Sequence, residues 1–399
     1  MKQNRRIYLD HAATTSLDPQ IFEDMLPYLT TYFGNASSLH DEGQKAFWGI
    51  DEARRNIAVV LQVDHDEIFF TSGATESNNW ALFGIIEDWK KNHPGKNPEI
   101  ITSFIEHPSI LEPIRFLEKK GIIPIFCPVD SVGKIDIEFL RENIHENTAL
   151  VSVMFANNEI GTLEPIAEIG KIIKEVNSKR EKKEQVFFHT DAVQAWNYCF
   201  ISPKELNIDL LSLSGHKLYG PKGIGMLYIR NGIQIAPIFF GGGQQKELRP
   251  GTFPTFLIVG LGSAVKRAHE NRNPRRAHVE DLAKYFRKNL EAIFPEVQWN
   301  GLEKDRLPNN IHFSFPWGSG EKTLIALDLM GVAIGTGSAC STGSLESSHV
   351  LRAIGIKNPY LENSLRVTLG KDTTKEEIDL ALLAFSKIFL KQERPKKLF

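Results

Sequence analysis

The stretch Glu67-Ile-Phe-Phe-Thr-Ser-Gly-Ala-Thr-Glu76 decides the fold. It opens as a short apolar run of strand character and passes into a turn of small residues, Thr71 to Thr75. Beyond it Trp80, Leu82, Phe83, Ile86 and Trp89 suit a helix with one apolar face. Upstream, Phe47, Ile50, Ala53, Ile57, Val60 and Leu61 fall at helical spacing, so a helix feeds the strand and the strand feeds a second helix.

That rhythm recurs. Short apolar runs at Glu99–Ser103, Ile122–Phe126, Ala149–Phe155, Gln185–His189 and Leu210–Leu213 alternate with helical stretches, and charge-rich breaks at 90–97 and 178–184 read as solvated turns. Alternation of this kind predicts an α/β fold, with a large domain whose mostly parallel sheet is sandwiched by helices. After Glu270 the pattern changes to a long helix, strand-like runs at Asn310–Phe315, Val332–Ile334 and Ser364–Thr368, and a final helix with a capping box at Thr373–Glu376. This predicts a smaller α+β domain of residues 1–15 with 263–399, beside a large domain of residues 16–262.

With 47 basic and 49 acidic residues the chain has a formal charge of -2, which favours neither nucleic acid nor an anionic membrane and points to a small-molecule partner. Its three cysteines, Cys127, Cys199 and Cys340, form no Cys-x-x-Cys pair, and no His-Glu-x-x-His occurs, so neither a disulfide framework nor a metal site is expected. The N-terminus shows no apolar signal region, and the longest apolar run, Phe256–Val265, is about half a membrane span. A cytoplasmic protein without a transmembrane helix is the expectation.

A phosphorylated carbonyl cofactor accounts for several features together. Lys217 follows the buried-looking strand Leu211–Ser214 and precedes the glycine-rich return Tyr219–Gly225, a place where a desolvated lysine can reach a bound carbonyl. Asp191 ends the preceding strand, where a carboxylate can keep a pyridine nitrogen protonated, as an electron-sink ring requires. The turn Thr71–Thr75 opens a helix whose unpaired N–H groups, with the hydroxyls of Ser72 and Thr75, suit a phosphate. It lacks the lysine of a nucleotide loop and the spacing of a dinucleotide fingerprint. Each feature also has an ordinary reading: a lysine in a surface turn, or a capped helix start.

The motifs Tyr8-Leu-Asp-His-Ala-Ala-Thr-Thr15, Thr71–Asn79, Asn157-Asn-Glu-Ile-Gly161, His189-Thr-Asp-Ala-Val-Gln194 and Ser214-Gly-His-Lys217 occur in one order. On them the chain resembles the cysteine desulfurases, from Tyr8 to its last helix. The resemblance implies the fold-type I architecture of pyridoxal-phosphate transferases and a pyridoxal 5'-phosphate cofactor. By it Lys217 carries the cofactor, Asp191 partners the ring nitrogen, Gln194 and Asn158 neighbour the ring hydroxyl, and His107 stacks on the ring. Ala74, Thr75, Ser214 and His216 match phosphate ligands, and Thr252 matches one supplied by a neighbouring subunit, which implies a homodimer. Arg366 matches the receptor of the substrate carboxylate, with Asn35 as its helper.

Lys217 does not name the reaction, because one cofactor serves transaminases, lyases and desulfurases. Cys340 does. Its small-residue run Gly335–Gly343 predicts a mobile, exposed loop, and Gly337-Ser-Ala-Cys340 with Ser344–Arg352 looks like the long-loop branch of the family. Burial is the commoner fate of a lone cysteine, and Cys127 beside Phe126 and Cys199 between Tyr198 and Phe200 have the apolar company for it. The resemblance implies L-cysteine as substrate and L-alanine as product, Lys217 as base, His107 as handler of the thiol proton, and a persulfide on Cys340 passed to a sulfur-acceptor protein. Residues 391–399 lack the Trp- and His-containing docking motif of many housekeeping members. The acceptor therefore stays open between an iron–sulfur scaffold, a nitrogenase-type assembly protein and a tRNA-thiolation relay. The nearer rival is a transaminase or a carbon–sulfur or carbon–selenium lyase of the same fold, in which Cys340 is dispensable; the other is a non-catalytic platform for sulfur-transfer partners.

Overall fold

The computed structural model describes residues 6–336 and 347–389, and Cys340 lies outside the described residues. The strand β1 (Ile7–Tyr8) stands apart from the main sheet. That sheet comprises β2 (Ile68–Thr71), β3 (Glu99–Ser103), β4 (Ile123–Cys127), β5 (Thr148–Ser152), β6 (Phe187–Asp191), β7 (Leu210–Ser214) and β8 (Gly225–Ile229), in the order β2-β8-β7-β6-β5-β3-β4. Neighbours from β7 to β4 run parallel, and β8 is antiparallel to both β7 and β2. Successive residues of a strand enter opposite layers: Phe69, Ile100 and Leu150 pack with Trp80, Ile86 and Trp89, whereas Phe70, Ile101 and Val151 join the larger core on the other face. With both faces covered, the strands read as unbroken apolar runs. The expected strand Ala149–Phe155 ends at Ser152, although Val153 and Phe155 still donate to the carbonyls of His189 and Asp191, at 3.1 and 2.9 Å.

The helix Asp41–Leu61 begins where the His40 side chain accepts from the Gly43 N–H, and ends at Gln62, whose φ of 59° is left-handed. Its buried face is Ala46, Gly49, Ile50, Ala53 and Ile57; Phe47, expected on that face, is 44% exposed. Two positions on this face are small because neighbours approach closely: a Cβ on Gly262 of the helix Thr255–Glu270 would stand 2.7 Å from Ala53, and Gly49 leaves room for Tyr28. The apolar run Phe256–Val265 lies in this second helix, and among the described residues no helix is long and apolar enough to cross a membrane. The expected boundary at 262–263 falls inside that continuous helix.

Further along the chain come β9 (Gln298–Trp299), β10 (Asn310–Ser314), β11 (Val332–Ala333) and β12 (Ser364–Thr368). The order β12-β10-β9 makes an antiparallel sheet, and β11 takes β1 as a parallel partner, so the N-terminal strand pairs with the C-terminal part of the chain. The last helix, Lys375–Phe389, has its capping box one residue later than expected. The Glu377 N–H donates to Thr374 Oγ1 and the Thr374 N–H to Glu377 Oε2, at 3.2 and 3.0 Å, while Thr373 Oγ1 instead accepts from Gly370 N–H at 2.9 Å.

Glu164 lies buried behind β5, where its Oε2 accepts from the Ile135 N–H at 3.0 Å and its Oε1 has no partner among the described residues. Burial pushes its carboxyl up to about 8. The fold therefore keeps a proton that the unfolded chain releases near 4.5, so the stability contributed by this group is complete below that value and is lost as pH rises through about 8. Thermal denaturation across this window should show a shallower loss of stability in Glu164→Gln than in the parent chain. Equal slopes would mean that the carboxyl is ionised in the folded state.

Candidate active site

The carboxyl ends of the central strands converge on one cavity of about 640 Å³. Asp191 ends β6, Ser214 ends β7, and the 3-10 turn Gly215–Lys217 swings Lys217 over the same edge. His107 lies just after β3, at the start of the helix Pro108–Glu118, and Thr71 ends β2 before the helix Ala74–Asn92. Ser72, Ala74, Thr75, His107, Asn158, Asp191, Gln194, Ser214, His216, Lys217 and Arg366 all line the cavity. Two expected residues do not. Asn35 closes a local turn by accepting from the Ser37 N–H at 3.0 Å, and Thr252 is exposed.

A relay that the sequence did not announce links Asp191 to His107. The fully buried Asn78 spends both amide hydrogens, one on Asp191 Oδ2 at 2.7 Å and one on Ser109 Oγ at 2.8 Å. Ser109 Oγ then donates to His107 Nδ1 at 2.8 Å, and the Ser109 N–H points at the same nitrogen at 3.1 Å. Nδ1 is thus an acceptor, and the neutral ring carries its proton on Nε2. Burial lowers the His107 pKa below its usual value, against the pull of Asp191. Asn78 looked like one polar residue in a helix; only the packing of that helix across β6 gives it a role.

The helix Ala74–Asn92 has Gly73 at its N-cap and no side-chain cap, so its first-turn N–H groups suit an anion. The Ser72 N–H is already taken by Glu76 Oε2 at 2.7 Å, and Glu76 is held in turn by Arg249 Nε at 2.8 Å. Gly225 lets this turn sit directly on β8, because a Cβ there would stand 2.7 Å from Gly73.

Across the cavity runs the N-terminal segment that follows β1, whose motif was recognisable but whose role was not. The carbonyls of Ala12 and Ala13 accept from Lys217 Nζ, the latter at 2.7 Å, and Ala12 O accepts from Gln194 Nε2 at 3.1 Å. Thr14 Oγ1 meets His216 Nδ1 at 3.1 Å, and burial lowers the His216 pKa to about 4, so that ring is neutral. Arg366, on β12, is buried, donating from Nη2 to Asp10 Oδ1 at 2.9 Å and from Nη1 to Asn158 O at 3.0 Å. The other thiols lie elsewhere. Cys127 is fully buried and Cys199 half-buried, and burial pushes them up to about 12 and about 11, so both stay protonated at neutral pH.

Residues 7–381 match the model of the aminotransferase class-V family. The chain is 46% identical over 394 residues to a protein named cysteine desulfurase IscS from Clostridium botulinum, covering 98% of this chain and 96% of that one. It is 43% identical over 386 residues to a protein of the same name from Methanosarcina thermophila, with 95% and 91% covered. Among solved structures it is similar to a NifS-like protein, with a TM-score of 0.89, 35% identity, and 96% and 99% of the two chains covered. A structure described as SspA in complex with cysteine matches with a TM-score of 0.78 and 35% identity, over 92% and 99%.

The relay predicts the state of His107. Side-chain nitrogen NMR should find the ring neutral at pH 7 with its proton on Nε2, titrating below 6.5. Ser109→Ala should increase the share of the other tautomer, and a ring protonated at pH 7 would contradict the assignment.

Proposed function

The chain belongs to the class-V aminotransferases and, within them, to the cysteine desulfurases, and we propose that it carries pyridoxal 5'-phosphate on Lys217 and moves the sulfur of L-cysteine onto Cys340, leaving L-alanine. One observation carries the reading: an amine, a buried carboxylate, an uncapped helix start and a guanidinium face a single cavity large enough for a phosphorylated ring with its substrate. That donor set fits the cofactor. Asp191, fixed by Asn78, is the partner for a protonated ring nitrogen, and Asn158 and Gln194 neighbour the ring hydroxyl. The first turn of Ala74–Asn92 with Ser72, Ala74, Thr75, Ser214 and His216 would hold the phosphate, with Thr252 contributed by the other subunit of a homodimer.

When bound, the cofactor supplies an electron sink for the substrate's α-carbon. The protein's residues do the rest. Arg366 holds the substrate carboxylate, so the reacting carbon is presented in one orientation. With the cofactor bound, the Nζ of Lys217 would be the base that takes the α-proton. His107 takes the thiol proton by way of Ser109, which lines the cavity: Ser109 Oγ passes its hydrogen to Nδ1, the unprotonated nitrogen of the neutral ring, as it receives the thiol's. The Cys340 thiolate then attacks the substrate sulfur; the carbon–sulfur bond breaks as the sulfur–sulfur bond forms, Lys217 and His107 return their protons to the carbon fragment, and it leaves as L-alanine. The persulfide passes to a sulfur acceptor in the cytoplasm, an iron–sulfur scaffold or a tRNA-thiolation relay. The IscS name of the relatives favours the iron–sulfur scaffold.

Cys340→Ser separates this reading from a lyase or transaminase of the same fold. The variant should keep the cofactor absorbance of the parent protein and lose at least about a hundredfold in sulfide release from L-cysteine with a thiol reductant. Undiminished release would remove Cys340 from the reaction.

A further inference from the structure

Asp10 lies behind the cavity and does not line it, yet it is the acidic partner of Arg366. The ion pair is 2.9 Å long, and the two side chains are only 4% (Arg366) and 18% (Asp10) exposed. The guanidinium has its Nη2 on Asp10 and its Nη1 on the carbonyl of Asn158 at 3.0 Å, while its Nε is buried without a partner among the described residues. Both partners are themselves fixed. Asp10 sits in a segment bound on both sides to β12, where the Thr368 N–H donates to Leu9 O at 2.8 Å and the Ala12 N–H to Thr368 Oγ1 at 2.9 Å. Gly335 closes the site from behind: its N–H donates to Arg366 O at 2.9 Å, and a Cβ on it would stand 2.7 Å from Asp10 Oδ1 and 2.8 Å from Arg366 Nη2. A glycine there leaves room for the pair.

We propose that Asp10 is a positioning residue that fixes the plane of the Arg366 guanidinium and, by already neutralising it, limits how tightly the site holds a substrate's α-carboxylate. The inference rests on Arg366 being the carboxylate receptor. A guanidinium offers its hydrogens in one plane, and anchoring Nη1 and Nη2 by one hydrogen bond each fixes that plane and leaves their other hydrogens for a carboxylate. The cost of that orientation is electrostatic. Substrate carboxylate and Asp10 share one positive charge, and their mutual repulsion weakens binding of substrate and of product alike. Weak retention of L-alanine suits an enzyme that must release it in every cycle.

Removing the charge while keeping the acceptor oxygen isolates the effect. Titration calorimetry on the holoenzyme of Asp10→Asn should show L-alanine bound about fivefold more tightly than by the parent protein, the size of a like-charge repulsion in a wet site. The affinity for L-alaninamide, which has no carboxylate, should not change. A structural disturbance would move both ligands together, so equal shifts, or no gain for alanine, overturn the proposal. Arg366→Ala separates the two levels of the argument. If it leaves the preference for alanine over the amide intact, the carboxylate receptor is misassigned and the role of Asp10 falls with it. If it erases that preference while Asp10→Asn does nothing, only the role of Asp10 is lost.

Discussion

The fully buried ring of His189 fixes the register on which the site depends. Its Nδ1 meets Ser152 Oγ at 2.9 Å on β5 and its Nε2 meets Ser212 Oγ at 3.0 Å on β7, so one side chain ties β6 to both neighbours. Burial lowers its pKa to about 3; the ring is neutral, with one nitrogen to donate and one to accept, and two hydroxyls can satisfy it in either sense. A slip of one residue in β6 would turn every side chain to the opposite layer and take Asp191 from the cavity. With the register held, Asp191 stands opposite Ser212, and the turn after β7 brings Lys217 to the same edge. The placement is that of parallel α/β sheets in general, whose ligands gather beyond the carboxyl ends of the strands.

A second constraint joins this edge to the rest of the chain. Between β1 and Thr15 the backbone supplies acceptors to Lys217 and Gln194, and Thr15 Oγ1 donates to the carbonyl of His216 at 2.9 Å. The same segment pairs through Asp10 with Thr368 of β12 and through Asp10 Oδ1 with Arg366. Residues that come from opposite ends of the sequence are therefore set against each other by a short strap. This explains why β1, of two residues, pairs with β11: its role is to deliver the strap rather than to extend a sheet.

Much of this was legible in the sequence because it obeys local rules. Strands β2 to β8 are apolar runs bounded by turns, Asp191 and Lys217 end successive strands, and the glycine N-cap advertises an anion site. What was not legible depends on contacts between distant segments. Phe47 has the right spacing for a core face, but Tyr28 packs on Gly49 and the helix Thr255–Glu270 closes on Ala53, and the face rotates to Ala46 and Gly49. Thr373 and Thr374 are equivalent as caps until the backbone of Gly370 claims Thr373. Asn78 and Asp10 are ordinary polar residues in their own elements and acquire meaning only opposite Asp191 and Arg366. Asn35 and Thr252, assigned through resemblance, lie outside the cavity of their own chain, where no spacing argument could have put them.

The turn Asn157–Gly161 shows how the cofactor side and the substrate side are made into one unit. Its Asn158 faces the cavity, but its backbone is held from the far side: Asn310 Nδ2 donates to Glu159 O at 3.0 Å, Arg306 Nη2 to Ile160 O at 3.2 Å, and the Leu307 N–H to Gly161 O at 2.8 Å. Gly161 takes a φ of 76° with Asn310 packed against it, where a Cβ would stand 2.9 Å from that side chain. Ser348 Oγ donates to the buried carboxyl of Glu159, and Arg366 completes the ring through Asn158 O. Asn158 and the Arg366 guanidinium, which both line the cavity, thus share a hydrogen bond. Neither can shift without the other, so a carboxylate that draws Arg366 forward also bears on the turn presenting Asn158. On the proposed assignment of these residues, binding energy collected at a carboxylate on Arg366 would be applied to the turn that presents Asn158, where it could change the rate rather than only the affinity.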